Sequence, residues 1–246
     1  MIVLNEREYI EQFINDDKKQ IDNMYYTLSL LARYYKNQLD SKNVDIRKQL
    51  ETFLSKYGED IDDWQDSLDK IIKKCDRPLV EIEFISVSKN ELETIKQVKN
   101  RRLEKLLFTM LCLAKFNNIV NEKNNNWVNR DVKEIFKLAN VRDNIKKQYI
   151  SISEIKDLGL IKFSKKVDNL NLCVKFIDNG EIELEIDDFR DLGFQYLAYL
   201  GENYIKCECC GRLVKRTGKR DKYCKECSYL KQLQWSNNYK NNVKLK

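Results

Sequence analysis

The segment Cys207–Cys227, CECCGRLVKRTGKRDKYCKEC, constrains this chain more than any other. Cys207 and Cys210 form one CxxC pair, Cys224 and Cys227 form a second, and thirteen residues separate the pairs. This spacing lets four thiolates converge tetrahedrally on one metal ion. Gly211 falls where a metal-binding knuckle turns with positive φ, and Gly218 where the connecting hairpin reverses. The expectation is a closed zinc ribbon. The chain has no histidine, so the cysteines are the strong ligand candidates, and four thiolates leave no open position for water or substrate. Its Zn2+ is therefore expected to be structural. Free thiols or disulfides are the alternative for the same residues. Cys209, a fifth thiol inside the first knuckle, reads as an exposed bystander open to oxidation or as a replacement ligand.

At 246 residues the chain can bury a sizeable core and carry appendages. The other cysteines, Cys75, Cys112 and Cys173, are scattered. No signal peptide or membrane-spanning apolar run is evident, so a reducing cytoplasm is the expected compartment. The net charge of +6 is unevenly placed. Residues 1–99 hold 16 basic and 20 acidic groups, whereas residues 100–150 hold 11 and 5 and residues 205–246 hold 12 and 3. Residues 165–200, with 4 basic and 8 acidic groups, interrupt the positive regions, so a polyanion would have to approach a selected face.

The N-terminal third has helical periodicity. Ile21, Met24, Tyr25, Leu28, Leu31, Ala32 and Tyr35 form one stripe. Ile46, Leu50, Phe53, Leu54 and Tyr57 form a second, ending at Gly58. Ile61, Trp64, Leu68, Ile71 and Ile72 form a third, which Pro78 closes. These stripes are core faces, or secondarily a surface for a partner or a second copy of the chain. From Leu79 to Val87, Val80, Ile82 and Phe84 alternate with Glu81 and Glu83 as a short strand. Ser88 and Glu91 then make a capping box for a long helix with Leu103, Leu106, Leu107, Met110, Leu111 and Ala114 inside.

Asn129 is placed to cap a helix burying Val132, Ile135, Phe136 and Ala139. After a tight turn, a second helix is expected to bury Ile145, Tyr149 and Ile152 and to end at Gly159. Leu160, Ile161 and Phe163 begin a strand. Leu170, Leu172, Val174 and Phe176 then alternate before an Asn179–Gly180 type I′ turn and a return through Ile182, Leu184 and Ile186. Helix, helix-turn-helix and two-stranded wing in this order predict a winged helix.

The expected fold is α+β and mainly helical. It has a helical N-terminal region over 1–78, a winged-helix domain over 79–200, and a zinc ribbon with a terminal helix over 201–246.

The runs LEKLLFTMLCLAKF, WVNRDVKEIFKLANV, EIKDLGLIKFSKK and DFRDLGFQYLAYL, leading into four cysteines, cover about residues 100–230. Together they resemble a group of uncharacterised phage and prophage proteins of low-GC Gram-positive bacteria. The resemblance implies the winged-helix fold and a phage-like origin, which would make the expected cytoplasm that of a bacterial host cell, and it brings no activity with it.

On the second helix of the pair, Asn144, Lys147, Gln148 and Ser151 form a polar stripe with Arg142 and Lys146 near its N-terminal end, suited to the edges of bases in a major groove. Lys165 and Lys166 in the wing turn add charge. Arg212, Lys215, Arg216, Lys219, Arg220 and Lys222 in the ribbon, interleaved with Tyr223, Tyr229, Trp235 and Tyr239, suit phosphates and unpaired bases. The competing reading of both sets is an ordinary solvated surface with core-packed rings. The outward Glu181, Glu183 and Glu185, followed by Asp187 and Asp188, repel phosphate from one side of the wing.

The absence of histidine excludes His-based triads, HNH-type nucleases and HExxH proteases, and neither a P-loop nor a GxGxxG motif is present. A carboxylate–metal site at Asp187 and Asp188 is conceivable, but acidic runs usually line a strand edge or a helix N-terminus. No catalytic residue is assigned. The leading expectation is a non-enzymatic, phage-type protein that binds nucleic acid, duplex DNA in particular, in replication initiation or transcriptional control. The alternative is a phage-encoded, protein-binding inhibitor of a host nucleoprotein such as a CRISPR or other defence effector.

Overall fold

The computed structural model describes residues 2–15, 21, 23–38, 42–164, 171–218 and 221–244, the last eight as backbone alone. Leu170, Lys165, Lys166, Lys219 and Arg220 lie outside the described residues. The protein is mixed α+β, with helices predominating and three two-stranded antiparallel sheets among the described residues. It divides into two units, Val3–Glu83 and Phe84–Lys246, the latter together with Ile2.

The first unit contains α1 (Glu6–Asn15), α2 (Met24–Gln38), α3 (Asn43–Lys56) and α4 (Gln65–Ile72). The periodic stripes do form its core: Leu28, Leu31, Ile46, Leu50, Leu54, Leu68 and Ile71 join Ile10 and Phe13 of α1. Tyr25 departs from its stripe and faces solvent. Gly58 takes φ 75° just past α3, a conformation in which a Cβ is strained. A buried ion pair completes the unit. Arg33 Nη2 lies 2.6 Å from Glu6 Oε2, Arg33 Nε donates to the Arg77 carbonyl (3.0 Å), and the Val80 N–H donates to Glu6 Oε2 (2.6 Å). Buried charges are tolerated where each finds such partners.

The second unit opens with β1 (Ile85–Ser88), α5 (Lys89–Lys96) and α6 (Arg101–Val120). The Ser88–Glu91 capping box is present, but it caps only the short α5. The expected single long helix is broken because Lys99 adopts φ 54° and Asn100 starts a new helix, its Oδ1 accepting from the Arg102 and Leu103 N–H groups. From Leu106 to Ala114 every residue of α6 is buried, which makes α6 the central rod of this unit.

Next come α7 (Val132–Leu138), α8 (Ile145–Asp157), β2 (Ile161–Phe163), β3 (Leu172–Val174) and β4 (Ile182–Ile186). Asp131, not Asn129, caps α7, its Oδ1 accepting from the Glu134 N–H. Asn129 instead takes φ 51° within an asparagine-lined loop. Gly159, at φ 77°, ends α8 as expected. The strand pairing differs from the sequence expectation. β2 pairs with β3, and Trp127 bridges the other edge of β3 at Cys173. β4 pairs with β1, Ile85 opposite Ile186 and Val87 opposite Leu184. No Asn179–Gly180 hairpin joins β3 to β4, and Gly180 is not in the left-handed region that a type I′ turn demands.

Glu91 explains this pairing. It is fully buried and accepts from the N–H groups of Ser88 (2.7 Å) and Asp178 (2.9 Å) and from Lys115 Nζ (2.6 Å). Asp178 Oδ2 in turn accepts from Asn90 Nδ2 (2.7 Å). The approach to β4 is thereby pinned beside β1.

The chain ends with α9 (Leu192–Tyr199), β5 (Tyr204–Lys206), β6 (Leu213–Lys215) and α10 (Lys225–Lys244). α9 packs along α6, with the Tyr196 and Phe108 ring centroids 5.2 Å apart and Tyr196 Oη donating to the buried Glu104 (3.0 Å). The close approach is at Gly193, where a Cβ would sit 1.8 Å from the Ala139 carbonyl oxygen. Neither partner is a flexible side-chain tip, so Gly193→Ala is expected to destabilise the protein by about 3 kcal/mol or more, read as a lowered urea midpoint.

Candidate metal centre and nucleic-acid interface

β5 and β6 form the hairpin that carries the first cysteine pair, with Tyr204 opposite Lys215 and Lys206 opposite Leu213. The Cys207 N–H donates to the Arg212 carbonyl and the Gly211 N–H to the Cys207 carbonyl. Gly211 sits at φ 73°, so the knuckle turns where the sequence places it. The second pair straddles the start of α10. The Sγ atoms of Cys207, Cys210, Cys224 and Cys227 all lie within 4.8 Å of one another. Ligands about 2.3 Å from a tetrahedral centre stand about 3.8 Å apart, and Cys210 Sγ and Cys224 Sγ are 3.8 Å apart.

Backbone N–H groups already point at these sulfurs, from Cys224 to Cys207 Sγ (3.2 Å) and from Cys227 to Cys224 Sγ (3.3 Å). Burial works to raise the Cys207 thiol, but the N–H groups of Cys210, Cys224 and Cys209 outweigh it and bring the thiol down to about 6. Burial pushes Cys224 and Cys227 up. Four crowded sulfurs, three of them buried, thus form a donor set that fits a thiophilic cation. Cys209 is exposed and outside the four-sulfur group. Cys75, Cys112 and Cys173 are each buried elsewhere.

The hairpin is held to the rest of its unit by residues 187–191, of which Asp187 and Asp188 are those the sequence suggested as a phosphate-repelling edge or a carboxylate–metal site. Arg212 Nε donates to Asp191 Oδ2. Lys206 Nζ lies 3.2 Å from Asp187. Arg190 pairs with Asp188 (2.7 Å) and donates to the Cys210 carbonyl (2.9 Å). The Phe194 and Tyr204 rings stack beside these contacts at 5.1 Å. The acidic run is therefore a latch.

Several cations expected to meet phosphate have partners within the chain. Arg212 is held by Asp191, Lys215 lies 3.9 Å from Glu202, Arg216 donates to the Gly218 carbonyl (3.1 Å), and Lys222 lies 3.1 Å from Glu208. Tyr229 and Trp235 of α10 are exposed, and Lys231 Nζ sits 4.1 Å from the Tyr223 ring centroid.

The helix α8 also departs from expectation. Gln148 and Ser151, expected on its polar face, are buried. Gln148 Nε2 donates to the Asp143 carbonyl (3.0 Å), and Ser151 Oγ accepts from Arg102 Nη2 (2.6 Å). Arg102 of α6 pairs with Asp143 as well (2.6 Å), so an arginine on the central rod draws the polar side of α8 inward. The Asn144 carboxamide oxygen caps the helix, accepting from the Lys147 N–H (2.9 Å).

The outer face carries Ile145 (72% exposed), Tyr149 (52%) and Ile150 (48%), the first two of which were expected inside. Arg142, Lys146 and Lys147 are exposed too, and among the described residues none has an ion-pair partner. The periodic set Gln148, Ser151, Ile152 and Ile155 was available in the sequence as the buried face. Its polar members concealed it.

These features define a mixed α+β protein with a cysteine cluster near its C-terminal end that can bind a metal ion. Searches against protein families, curated proteins and solved structures find no match to this chain. Among the described residues no helix is long and apolar enough to cross a membrane.

Proposed function

We propose that the chain is a non-enzymatic, phage-type nucleic-acid-binding protein, a winged helix with a C-terminal zinc ribbon that acts on duplex DNA in replication initiation or transcriptional control. The fold supports this reading through the order of α6, the Trp127 bridge strand, α7, α8, β2 and β3, with β3 between its two partners. The observation that carries it is the set of cations without an ion-pair partner among the described residues, Arg142, Lys146 and Lys147, at or just before the start of the second helix of the helix-turn-helix. That end of a recognition helix enters the major groove, and free cations there neutralise phosphate without first giving up a partner. Zn2+ would be held by Cys207, Cys210, Cys224 and Cys227 and would supply shape, fixing the hairpin and the first turn of α10.

Fluorescence anisotropy of the zinc-loaded protein with duplex and single-stranded oligonucleotides across a salt series tests the proposal. Submicromolar duplex binding with a steep negative salt slope is expected. Replacing Lys146 and Lys147 with Ala is expected to weaken binding and flatten the slope of log affinity against log salt by up to about 2. Unchanged affinity and slope would remove α8 from the interface.

A second reading draws on a different observation, the exposed apolar side chains of α8. A phage-encoded inhibitor that binds a host nucleoprotein would use such a surface. Stoichiometric co-purification with a host protein, together with no DNA affinity at physiological salt, would favour it.

A further inference from the structure

We infer that α8 selects A·T-rich duplex by covering thymine methyl groups, an inference that rests on the DNA-binding reading above. Apart from the cations Arg142, Lys146 and Lys147, the polar side chains able to read base edges are committed elsewhere. Gln148 and Ser151 are buried beneath the helix, the Asn144 oxygen caps it, and Asp143 is paired with Arg102. What the N-terminal half of α8 offers outward is Ile145, Lys146, Lys147, Tyr149 and Ile150.

Lys146 lies three and four residues before Tyr149 and Ile150, so it sits between them on the helix surface. Lysine is depleted from the cores of protein–protein interfaces, which argues against a protein partner at this spot. A cation flanked by branched aliphatic and phenolic groups complements a surface that carries both phosphates and methyls. The major groove of A·T-rich DNA is such a surface, because the thymine C5-methyl projects into it whereas cytosine presents an amino group there.

The test removes the methyl and nothing else. The full-length, zinc-loaded protein is titrated by anisotropy with a duplex of alternating A·T pairs and with the same duplex containing deoxyuridine in place of thymidine. Each methyl covered is worth about fourfold in affinity, so covering two or more is expected to make the thymidine duplex bind at least about tenfold more tightly. The salt slope is expected to be equal for the two, because the phosphates are unchanged.

Tyr149→Ser with Ile150→Ser, both at exposed positions, is expected to abolish the preference and preserve the slope. A G·C duplex carrying 5-methylcytosine is expected to outbind its unmethylated counterpart for the same reason. Equal affinity of the wild-type protein for the thymidine and deoxyuridine duplexes, with duplex binding retained, overturns the methyl inference and leaves the DNA-binding reading standing. Absence of binding to any duplex at low salt overturns both.

Discussion

Replacing Cys224 with Ser is expected to reduce bound metal, zinc on the reading proposed above, from one equivalent per chain to near zero, measured by elemental analysis of the purified protein. Cys224 links both cysteine pairs. Its sulfur stands 3.8 Å from that of Cys210, it accepts the Cys227 N–H, and its own N–H donates to Cys207. A structural zinc site contributes on the order of 10–16 kcal/mol to the fold it closes, and the hairpin has little else inside it. Its buried cluster consists of Cys207, Cys224 and Cys227, with Cys210, Val214 and Tyr223 packed against them.

Amide hydrogens over 204–227 are therefore expected to lose their exchange protection in the variant, whereas those of α6, buried in an apolar core of its own, keep theirs. Full zinc occupancy in the variant would mean that Cys209 moves in as a ligand, and the assignment of Cys209 as a bystander would fall.

The second large effect is expected at Glu91→Ala. This change leaves Lys115 Nζ, 2.6 Å from the carboxylate in the native protein, as a nearly buried charge without its counterion. It also strips the Ser88 and Asp178 N–H groups of their acceptor. Removing one partner of a buried pair costs about 3–5 kcal/mol, which for a unit of this size lowers the melting temperature by roughly 10 °C. A leucine at 91 would not repair the damage, because an apolar side chain satisfies neither N–H group. A thermal melt within 2 °C of the native protein would show that water takes over the carboxylate's role, and Glu91 would then not be what holds β4 against β1.

The sequence made some features legible and hid others, for reasons that lie in particular residues. Both CxxC pairs, the turn at Gly211 and the end of α8 at Gly159 follow from local chemistry, and each is found where it was expected. The core stripes of the first unit are likewise local, since a 3.6-residue period needs only one buried side.

The partner of β4 was not legible. Ile182, Leu184 and Ile186 alternate equally well against any apolar strand, and the choice of β1 depends on Glu91 reaching Asp178, 87 residues along the chain. The orientation of α8 was hidden in the same way. Two stripes of similar period compete on that helix, and Arg102, supplied by α6, decides between them by binding Ser151 and Asp143. Sequence also counts charges without pairing them, and for that reason the latch between the ribbon and the Asp187–Asp191 run was read as two unrelated patches of opposite sign.

That latch changes what a salt titration would count. A polyanion landing on the hairpin could not simply release its own small counterions to Arg212 and Lys206. It would have to displace Asp191 and Asp187, carboxylates belonging to the same chain, and so behave as an ion exchanger acting on an already loaded resin. The number of ions set free per phosphate would then be smaller than the 12 basic groups of residues 205–246 suggest, because an internal carboxylate that is expelled stays attached and keeps competing. High salt would weaken the polyanion and the latch together. The apparent valence of binding would accordingly report Lys146 and Lys147 of α8 and the nearby Arg142 in full, and Arg212 and Lys206 only in part.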